Sequence, residues 1–225
     1  MELHSNFEER VIVHSTELDW VDSPIEGVQR RMLDRVGDEV ARATTIVKYD
    51  PGSHFSPHIH TGGEEFLVLE GVFQDEHGDF PVGSYIRNPP ESKHTPGSEA
   101  GCTIFVKLWQ FDPTDRTHVR LQIEQQEKFA HVSFGQESIL HQDAFETVKI
   151  EYWPANSIIE FDSEGGSEFL VLDGNFTENG DELRPLSWLR MPENYHASVK
   201  TGELGATVWR KDGHLKNFFP VTNPT

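Results

Sequence analysis

An internal repeat constrains the fold of this 225-residue chain more than any other feature of its sequence. The segment EFLVLEGVF, from Glu65 to Phe73, returns as EFLVLDGNF from Glu168 to Phe176, at a shift of 103 residues. Self-similarity at a fixed spacing is the signature of repeated structural units, so we predict two copies of one domain, at 1–115 and 116–225. Further identities at the same shift are Tyr49 with Tyr152, Pro51 with Pro154, Gly62 and Gly63 with Gly165 and Gly166, Ser84 with Ser187, Arg87 with Arg190, and Pro89 with Pro192.

Each copy has the pattern of short strands separated by turn residues. This even spacing is typical of an antiparallel barrel or sandwich, so we expect an all-β protein. The β-rich runs of the first copy are Thr44–Tyr49, Glu65–Leu69, Ser84–Arg87 and Thr103–Trp109. Only Ile25–Arg35 and Gln122–Phe129 are interpreted as short helices or irregular arms.

The repeated run FLVL is apolar on both faces of its strand, whereas a half-buried strand alternates apolar and polar residues. The outward face must therefore meet more than its own core. Our hypothesis is that Leu67 and Leu69, with Leu170 and Leu172, pack the two barrels together or form a homodimer contact.

Composition excludes several classes of partner and site. The formal charge of −19 opposes binding to nucleic acid or to anionic membranes, and no apolar run is long enough to span a bilayer. The first residues, MELHSNFEER, lack the basic start and apolar middle of a secretory signal, so we expect a cytoplasmic location. Cys102 is the only cysteine, so any metal here must be bound by nitrogen and oxygen.

The segment from Gly52 to Gly71 carries the densest set of metal-ligand side chains. His58 and His60 are two residues apart on an extended chain, so both project from one face. A turn at Gly62-Gly63 would return Glu64 to the same point, and His94 is the leading candidate for a fourth ligand. His54 shares the parity of His58 and His60, so we expect it near the site, although it is unfavoured as a ligand. Seven further histidines have no spacing partners and are interpreted as surface residues: His4, His14, His77, His118, His131, His141 and His214.

These residues carry a resemblance to a known family. The spacing G-x5-H-x-H-x3-E-x6-G resembles the first cupin motif, and the run from Gly83 to His94 resembles the second. The second motif departs at Glu91, where the family usually has glycine, and at Ser98, where it often has asparagine. GGEEFLVLEG, QDEHGDFPVGSYIRNPP and GCTIFVKLWQF look like the ChrR-like cupin group, over most of residues 20–113 and more weakly over 129–215.

The resemblance implies two tandem double-stranded β-helix barrels, similar in plan to jelly rolls, with one divalent transition metal in the first. It implies the ligands His58, His60, Glu64 and His94, and the metal is Zn, Fe, Mn or Ni. The sequence points to no separate nucleophile or catalytic base.

The second copy helps to separate ligands from structural residues. It keeps Glu168 opposite Glu65 but has Ser167 opposite Glu64, so Glu64 is the predicted ligand. Arg87 and Arg190 persist beside Glu65 and Glu168, which suggests a Glu–Arg pair in both copies.

The metal site of the second copy is predicted to be lost, because Phe161 and Ser163 stand where His58 and His60 stand in the first. His196, with Glu160, Asp162 and Glu164 nearby, is an unfavoured substitute site. We expect a more apolar interior that includes Phe161 and Trp188.

Two functions of different classes follow from the resemblance. One is a metal-dependent dioxygenase that acts on a small dicarbonyl-type compound, and the other is a zinc-bound sensor or regulator of oxidative-stress transcription like the anti-sigma factor ChrR. Binding to a sigma factor is not carried over, because this sequence shows neither a helical anti-sigma domain nor the cysteines of its zinc site. In the enzyme, the open positions on the metal would take dioxygen or a chelating substrate. In the regulator, the four side chains would close the site around zinc, and the cupin would bind a partner or a small-molecule ligand.

Overall fold

Antiparallel strands make up the regular structure of the described chain, apart from two short 3-10 turns at Ser15–Glu17 and Ile123–Gln125. A computed structural model describes residues 1–125, 130–132 and 135–217. Within these ranges no helix is long and apolar enough to cross a membrane. The all-β prediction is confirmed.

The first fourteen strands are β1 (Glu2–Leu3), β2 (Val11–His14), β3 (Val21–Asp22), β4 (Val28–Gly37), β5 (Ala41–Tyr49), β6 (Ser53–His54), β7 (His58–His60), β8 (Glu64–Asp75), β9 (Gly78–Pro81), β10 (Ser84–Asn88), β11 (Ser92–His94), β12 (Gly97–Ser98), β13 (Cys102–Leu108) and β14 (Val119–Gln122). The remaining strands are β15 (Ala130–Val132), β16 (Gly135–Gln142), β17 (Thr147–Trp153), β18 (Ile158–Ser163), β19 (Ser167–Glu178), β20 (Asp181–Leu183), β21 (Ser187–Met191) and β22 (Tyr195–Asp212).

The chain divides into two compact units. The first contains Met1–Ser5 and Asp19–Gln125, and the second contains Asn6–Leu18 together with the described residues after 126. Segment 6–18 belongs to the second unit because β2 pairs with β21 in an antiparallel ladder. The units thus differ from the boundaries 1–115 and 116–225 in residues 6–18 and in residues 116–125, which belong to the first unit. No local sequence pattern indicates that residues 6–18 join the second unit.

The main sheet of the first unit has the order β1-β4-β5-β13-β8-β10-β14, and a two-stranded sheet pairs β7 with β11. The second unit repeats the central order as β16-β17-β22-β19-β21, flanked by β15 and β2. All four predicted runs lie in β5, β8, β10 and β13, with Trp109 just past the end of β13. Apolar residues on one face of these strands form the core of the first unit: Val28, Val47, Phe66, Val68, Phe73, Ile86, Cys102, Ile104 and Val106.

The prediction for Ile25–Arg35 is wrong, because this stretch contains most of strand β4, which pairs with β5 along its length. In Gln122–Phe129, Gln122 ends β14 and Ile123–Gln125 forms a 3-10 turn, while 126–129 lie outside the described residues.

Two of the four outward leucines are buried. Leu67 is 2% exposed and lies opposite Tyr85 and Phe105 on the neighbouring strands. Leu170 is fully buried between its cross-strand neighbours Trp188 and Trp209. The other two outward leucines, Leu69 and Leu172, are half-buried. A homodimer or barrel-to-barrel contact through them stays a prediction.

A buried ion pair supports the first unit on the same outward face. Glu65 lies opposite Arg87 in the β8–β10 ladder, with Oε2 of Glu65 3.7 Å from Nη1 of Arg87. The Tyr85 hydroxyl donates to Oε1 of Glu65 at 2.6 Å, and Nη2 of Arg87 reaches Oδ2 of Asp115 at 3.0 Å. The predicted pair is present here, and both partners are 1% exposed.

The equivalent carboxylate in the second unit also lies opposite an arginine, and a histidine joins its neighbours. Glu168 lies opposite Arg190 in the β19–β21 ladder. It accepts a hydrogen bond from Nε1 of Trp188 at 3.2 Å and lies 2.8 Å from Nε2 of His214. Glu168 and Trp188 share the face opposite to the core, because side chains alternate along a strand. Trp188 is therefore buried but does not line the interior, contrary to the prediction.

We expect the substitution Arg87→Met to lower the free energy of unfolding by about 3–5 kcal/mol, because it removes the buried cation opposite the buried Glu65 charge. Urea denaturation of the metal-free protein measures this change. The exposed Arg120 on β14 is a control, and Arg120→Met should leave stability almost unchanged. Unchanged stability of Arg87→Met, with loss of bound metal instead, would contradict a structural role for the pair.

Candidate metal centre

Three imidazoles converge at one end of the first unit. His58 and His60 project from β7, and the antiparallel register places His94 of β11 directly opposite His58. The ring centroids lie 4.9 Å apart for His58 and His60, 4.9 Å for His58 and His94, and 4.6 Å for His60 and His94. One nitrogen from each ring lies within 4.8 Å of the others.

The carboxylate of Glu64 completes this cluster. Its Oε2 lies 3.5 Å from Nε2 of His60 and 3.6 Å from Nε2 of His94. Asn88 donates to the same oxygen from Nδ2 at 3.3 Å. The structure thus brings together all four side chains that the sequence singled out, and it directs Glu65 to the opposite face.

The turn before Glu64 requires glycine for two reasons. Gly63 has a φ of +78°, a conformation that disfavours residues with a Cβ. A Cβ at Gly63 would lie 2.4 Å from the ring of Phe111, and one at Gly62 would lie 2.0 Å from the ring of Trp109. Aromatic side chains therefore fill the space that the two glycines leave, which fixes the start of β8.

The turn before His94 shows why glycine is usual at the position of Glu91. Glu91 has a φ of +70°, so the glycine usual at this position would adopt it without strain. For a residue with a Cβ this conformation costs about 1–2 kcal/mol. The Glu91 backbone N–H donates to the carbonyl of His60 at 2.9 Å, which ties the turn to β7.

Burial leaves two ring nitrogens without hydrogen bonds. His60 is 7% exposed and His94 is 2% exposed, whereas His58 is exposed at the surface. Within the described residues, Nε2 of His60 and Nε2 of His94 have no hydrogen-bond partner. Buried polar atoms in native proteins are normally satisfied, so a missing ligand at this point is the simplest physical explanation.

The two buried imidazoles differ in their electrostatic surroundings. Burial lowers the pKa of His60 below its ordinary value, although the nearby charge of Glu64 opposes the change. Burial also disfavours the charged form of His94, but its contact with Asp75 and the charge of Glu64 raise its pKa overall. The interior thus favours neutral His60, which is the form that binds metal.

The donor set fits a divalent transition-metal ion. Three imidazole nitrogens and one carboxylate oxygen are ligands that zinc, iron, manganese and nickel accept. The two buried Nε2 atoms and the Glu64 carboxylate already face one another, so an ion between them would satisfy all three.

Most other histidines lie apart from the cluster. His54 is exposed, and its Nε2 pairs with Oε1 of Glu99 at 3.0 Å. His141 and His214 are 8% and 5% exposed, so the expectation that they are surface residues is wrong. His4, His77 and His118 are exposed and His14 is half-buried, while the side chain of His131 lies outside the described residues.

The second unit carries none of the four donors at the equivalent positions. Phe161, Ser163, Ser167 and Ala197 replace His58, His60, Glu64 and His94 at the 103-residue shift. His196 is exposed on the surface, where its Nδ1 lies 2.8 Å from Oδ1 of Asp162. Glu160 and Glu164 are exposed as well. His196 belongs to no group of three or more donor side chains in the described ranges.

Aromatic packing occupies the interior of the second unit instead. Phe161 packs against the core, with its ring centroid 5.5 Å from that of Phe169 and 6.5 Å from that of Trp153. Ala197, in place of a histidine, is fully buried in the same core. The expectation of a more apolar interior is met at Phe161.

Comparison with known proteins finds a cupin-like domain in the first half of the chain. Residues 8–112 match the family model described as the ChrR cupin-like domain. The anti-sigma-E factor ChrR of Cereibacter sphaeroides is 38% identical over 76 residues, which are 33% of this chain and 34% of that protein. The match thus spans about a third of the length of this curated relative.

Solved structures of low identity share the fold. A candidate dioxygenase from Nostoc punctiforme PCC 73102 superposes with a TM-score of 0.73 at 11% identity, covering 97% of this chain and 88% of the other. YhhW, a bacterial pirin from Escherichia coli solved in complex with nickel(II), gives a TM-score of 0.65 at 13% identity, covering 91% and 98%.

The fold is therefore that of a protein with two tandem cupin barrels. Within this class, the family match over residues 8–112 and the ChrR relative support a ChrR-like cupin group for this chain.

Substitutions of the adjacent residues Glu64 and Glu65 test which of the two binds the metal. We expect Glu64→Gln to reduce the metal bound per chain, because it removes the anionic oxygen beside His60 and His94. Glu65→Gln should keep its metal and lose stability, because the buried Arg87 then faces no charge on β8. Metal analysis and urea denaturation of both variants measure the two effects. Equal metal loss in both variants would contradict the assignment.

Proposed function

We propose that this chain is a metal-binding cupin whose first unit holds one divalent transition-metal ion through His58, His60, Glu64 and His94. The observation that carries the proposal is the pair of buried Nε2 atoms, on His60 and His94, without hydrogen bonds beside the Glu64 carboxylate. A carboxylate facing two such nitrogens is a poor structural pair unless a cation lies between them.

The four proposed ligands differ in their exposure to solvent. His60, Glu64 and His94 hold the buried side, while the exposed His58 forms the side that solvent reaches. A metal that prefers five or six ligands supplies a Lewis-acid centre with one or two positions left for a small molecule. The protein's own part is to fix the ligands and to leave the His58 side open.

We further propose that the bound metal serves catalysis, in a dioxygenase acting on a small dicarbonyl-type compound. The open side at His58 supports this proposal, because a catalytic site must admit a substrate, whereas structural zinc sites are closed by four protein ligands. The Nostoc punctiforme neighbour described as a candidate dioxygenase shares the fold alone.

A zinc-bound, non-catalytic sensor is the second candidate. The 38% identity to the anti-sigma factor ChrR favours it, although the match covers 34% of that protein. In this case the four ligands would bind zinc, and a signal would reach the site from the exposed His58 side. The two functions differ in the native metal and in turnover.

Metal content measures the primary proposal directly. We expect one equivalent of divalent metal per chain in protein purified without added metal, and its loss in His60→Ala. The control His54→Ala should keep the metal, because His54 pairs with Glu99 outside the cluster. Metal that is unaffected by His60→Ala, or absent from wild-type protein even after incubation with zinc or iron, would contradict the proposal.

Oxygen consumption on a panel of diketones then separates the two functions. Iron with turnover supports the dioxygenase, and His60→Ala should abolish that turnover. Full occupancy by zinc without turnover, even after replacement of zinc by iron, supports the sensor and contradicts the enzyme.

A further inference from the structure

The carboxylate of Asp75 lies behind His94, on the side of the ring away from the cluster. Asp75 ends strand β8, where the chain turns into β9. Its Oδ1 accepts the backbone N–H of His77 at 2.7 Å, and its Oδ2 lies 3.3 Å from Nδ1 of His94. The side chains of Asp75 and His94 are each 2% exposed, so solvent does not compete for this contact.

The contact determines which nitrogen of His94 carries the proton. An ionised carboxylate only accepts hydrogen bonds, so Nδ1 of His94 must be the donor to Asp75. The neutral ring then has a free lone pair on Nε2, the atom that faces Glu64 at 3.6 Å. Histidine ligands are commonly held in this way, by a carboxylate on the nitrogen that does not bind the metal.

The second unit provides an internal comparison. Glu178 stands at the position equivalent to Asp75, whereas the histidine partner is replaced by Ala197. Glu178 instead accepts hydrogen bonds from Nε of Arg10 at 2.6 Å and from the Tyr195 hydroxyl at 2.9 Å. In the second unit, Arg10 and Tyr195 therefore replace the imidazole as donors to the carboxylate. Contact with a histidine at this position is found in the unit that has the candidate metal ligands.

We propose that Asp75 is a positioning residue that holds His94 in the tautomer and ring orientation required for metal binding. This proposal rests on the proposed metal site, because the orientation of Nε2 of His94 matters for function only if that atom binds a metal. It extends the site to a residue that none of the motif spacings indicates.

The neighbouring Glu76 provides a matched control. Its Oε2 accepts the backbone N–H of Thr95 at 2.8 Å, so it links the same turn to the residue after His94 without touching the imidazole. Asp75→Asn and Glu76→Gln each remove one charge and keep the size of the side chain. Only the first changes the partner of Nδ1.

The substitution Asp75→Asn is expected to favour the wrong tautomer. The oxygen of the new amide would keep the hydrogen bond from the His77 N–H, which turns the amide nitrogen toward His94. A donor at this place requires a lone pair on Nδ1, so the ring proton moves to Nε2 and competes with the metal. We expect zinc affinity, measured by chelator competition, to fall by about 10–100-fold in Asp75→Asn. Glu76→Gln should bind zinc like the wild type.

Nitrogen-15 NMR of the metal-free protein tests the tautomer independently of metal. At a pH high enough to leave the ring neutral, His94 should carry its proton on Nδ1 in the wild type and in Glu76→Gln, and on Nε2 in Asp75→Asn. A merely structural role of Asp75 would not move this signal. A wild-type ring protonated on Nε2 overturns the proposal without any variant, as does wild-type zinc affinity in a folded Asp75→Asn. A wild type that binds no zinc but has the Nδ1 proton would refute the metal site and leave the orienting contact established.

Discussion

The site depends on the antiparallel pairing of two three-residue strands, β7 and β11. Their register places Ser92 opposite His60, Lys93 opposite Ile59 and His94 opposite His58. A slip by one residue would turn Lys93 toward the cluster and His94 away from it, because side chains alternate between faces. The Glu91 N–H on the His60 carbonyl fixes this register at one end. The Asp75 contact holds the ring of His94 at the other side.

Adjacent positions on β8 then serve two separate purposes. Glu64 faces the imidazoles, and Glu65, one residue on, faces Tyr85 and Arg87 on the opposite side of the strand. The second unit keeps the Glu65 position as Glu168 and changes the Glu64 position to serine. The support of the sheet is therefore independent of the metal site, so one barrel can lose its donors and keep its fold. Of the residues that replace the donors, Phe161 packs against the apolar core of the second unit and Ala197 is buried in it.

The repeat and the spacing of the motifs predicted much of this arrangement. The four strands of the first copy, the meeting of His58, His60, Glu64 and His94, and the opposite orientation of Glu65 all follow from short-range spacing and from comparison of the copies. Features that depend on distant pairing were not predictable. Residues 6–18 join the second unit through β2, and His214 is buried against Glu168, although neither has a local signal. The prediction for the stretch from Ile25 is wrong because strand β4, although paired, lacks a regular alternation of burial.

Anomalous diffraction at the zinc absorption edge tests the central claim most directly, using crystals of the whole chain grown with zinc. The account predicts one strong peak in the first unit, at roughly 2.0–2.2 Å from one nitrogen each of His58, His60 and His94 and from an oxygen of Glu64. It predicts no peak beside Phe161 and Ala197 in the second unit. A first unit without a peak between those four side chains would contradict it.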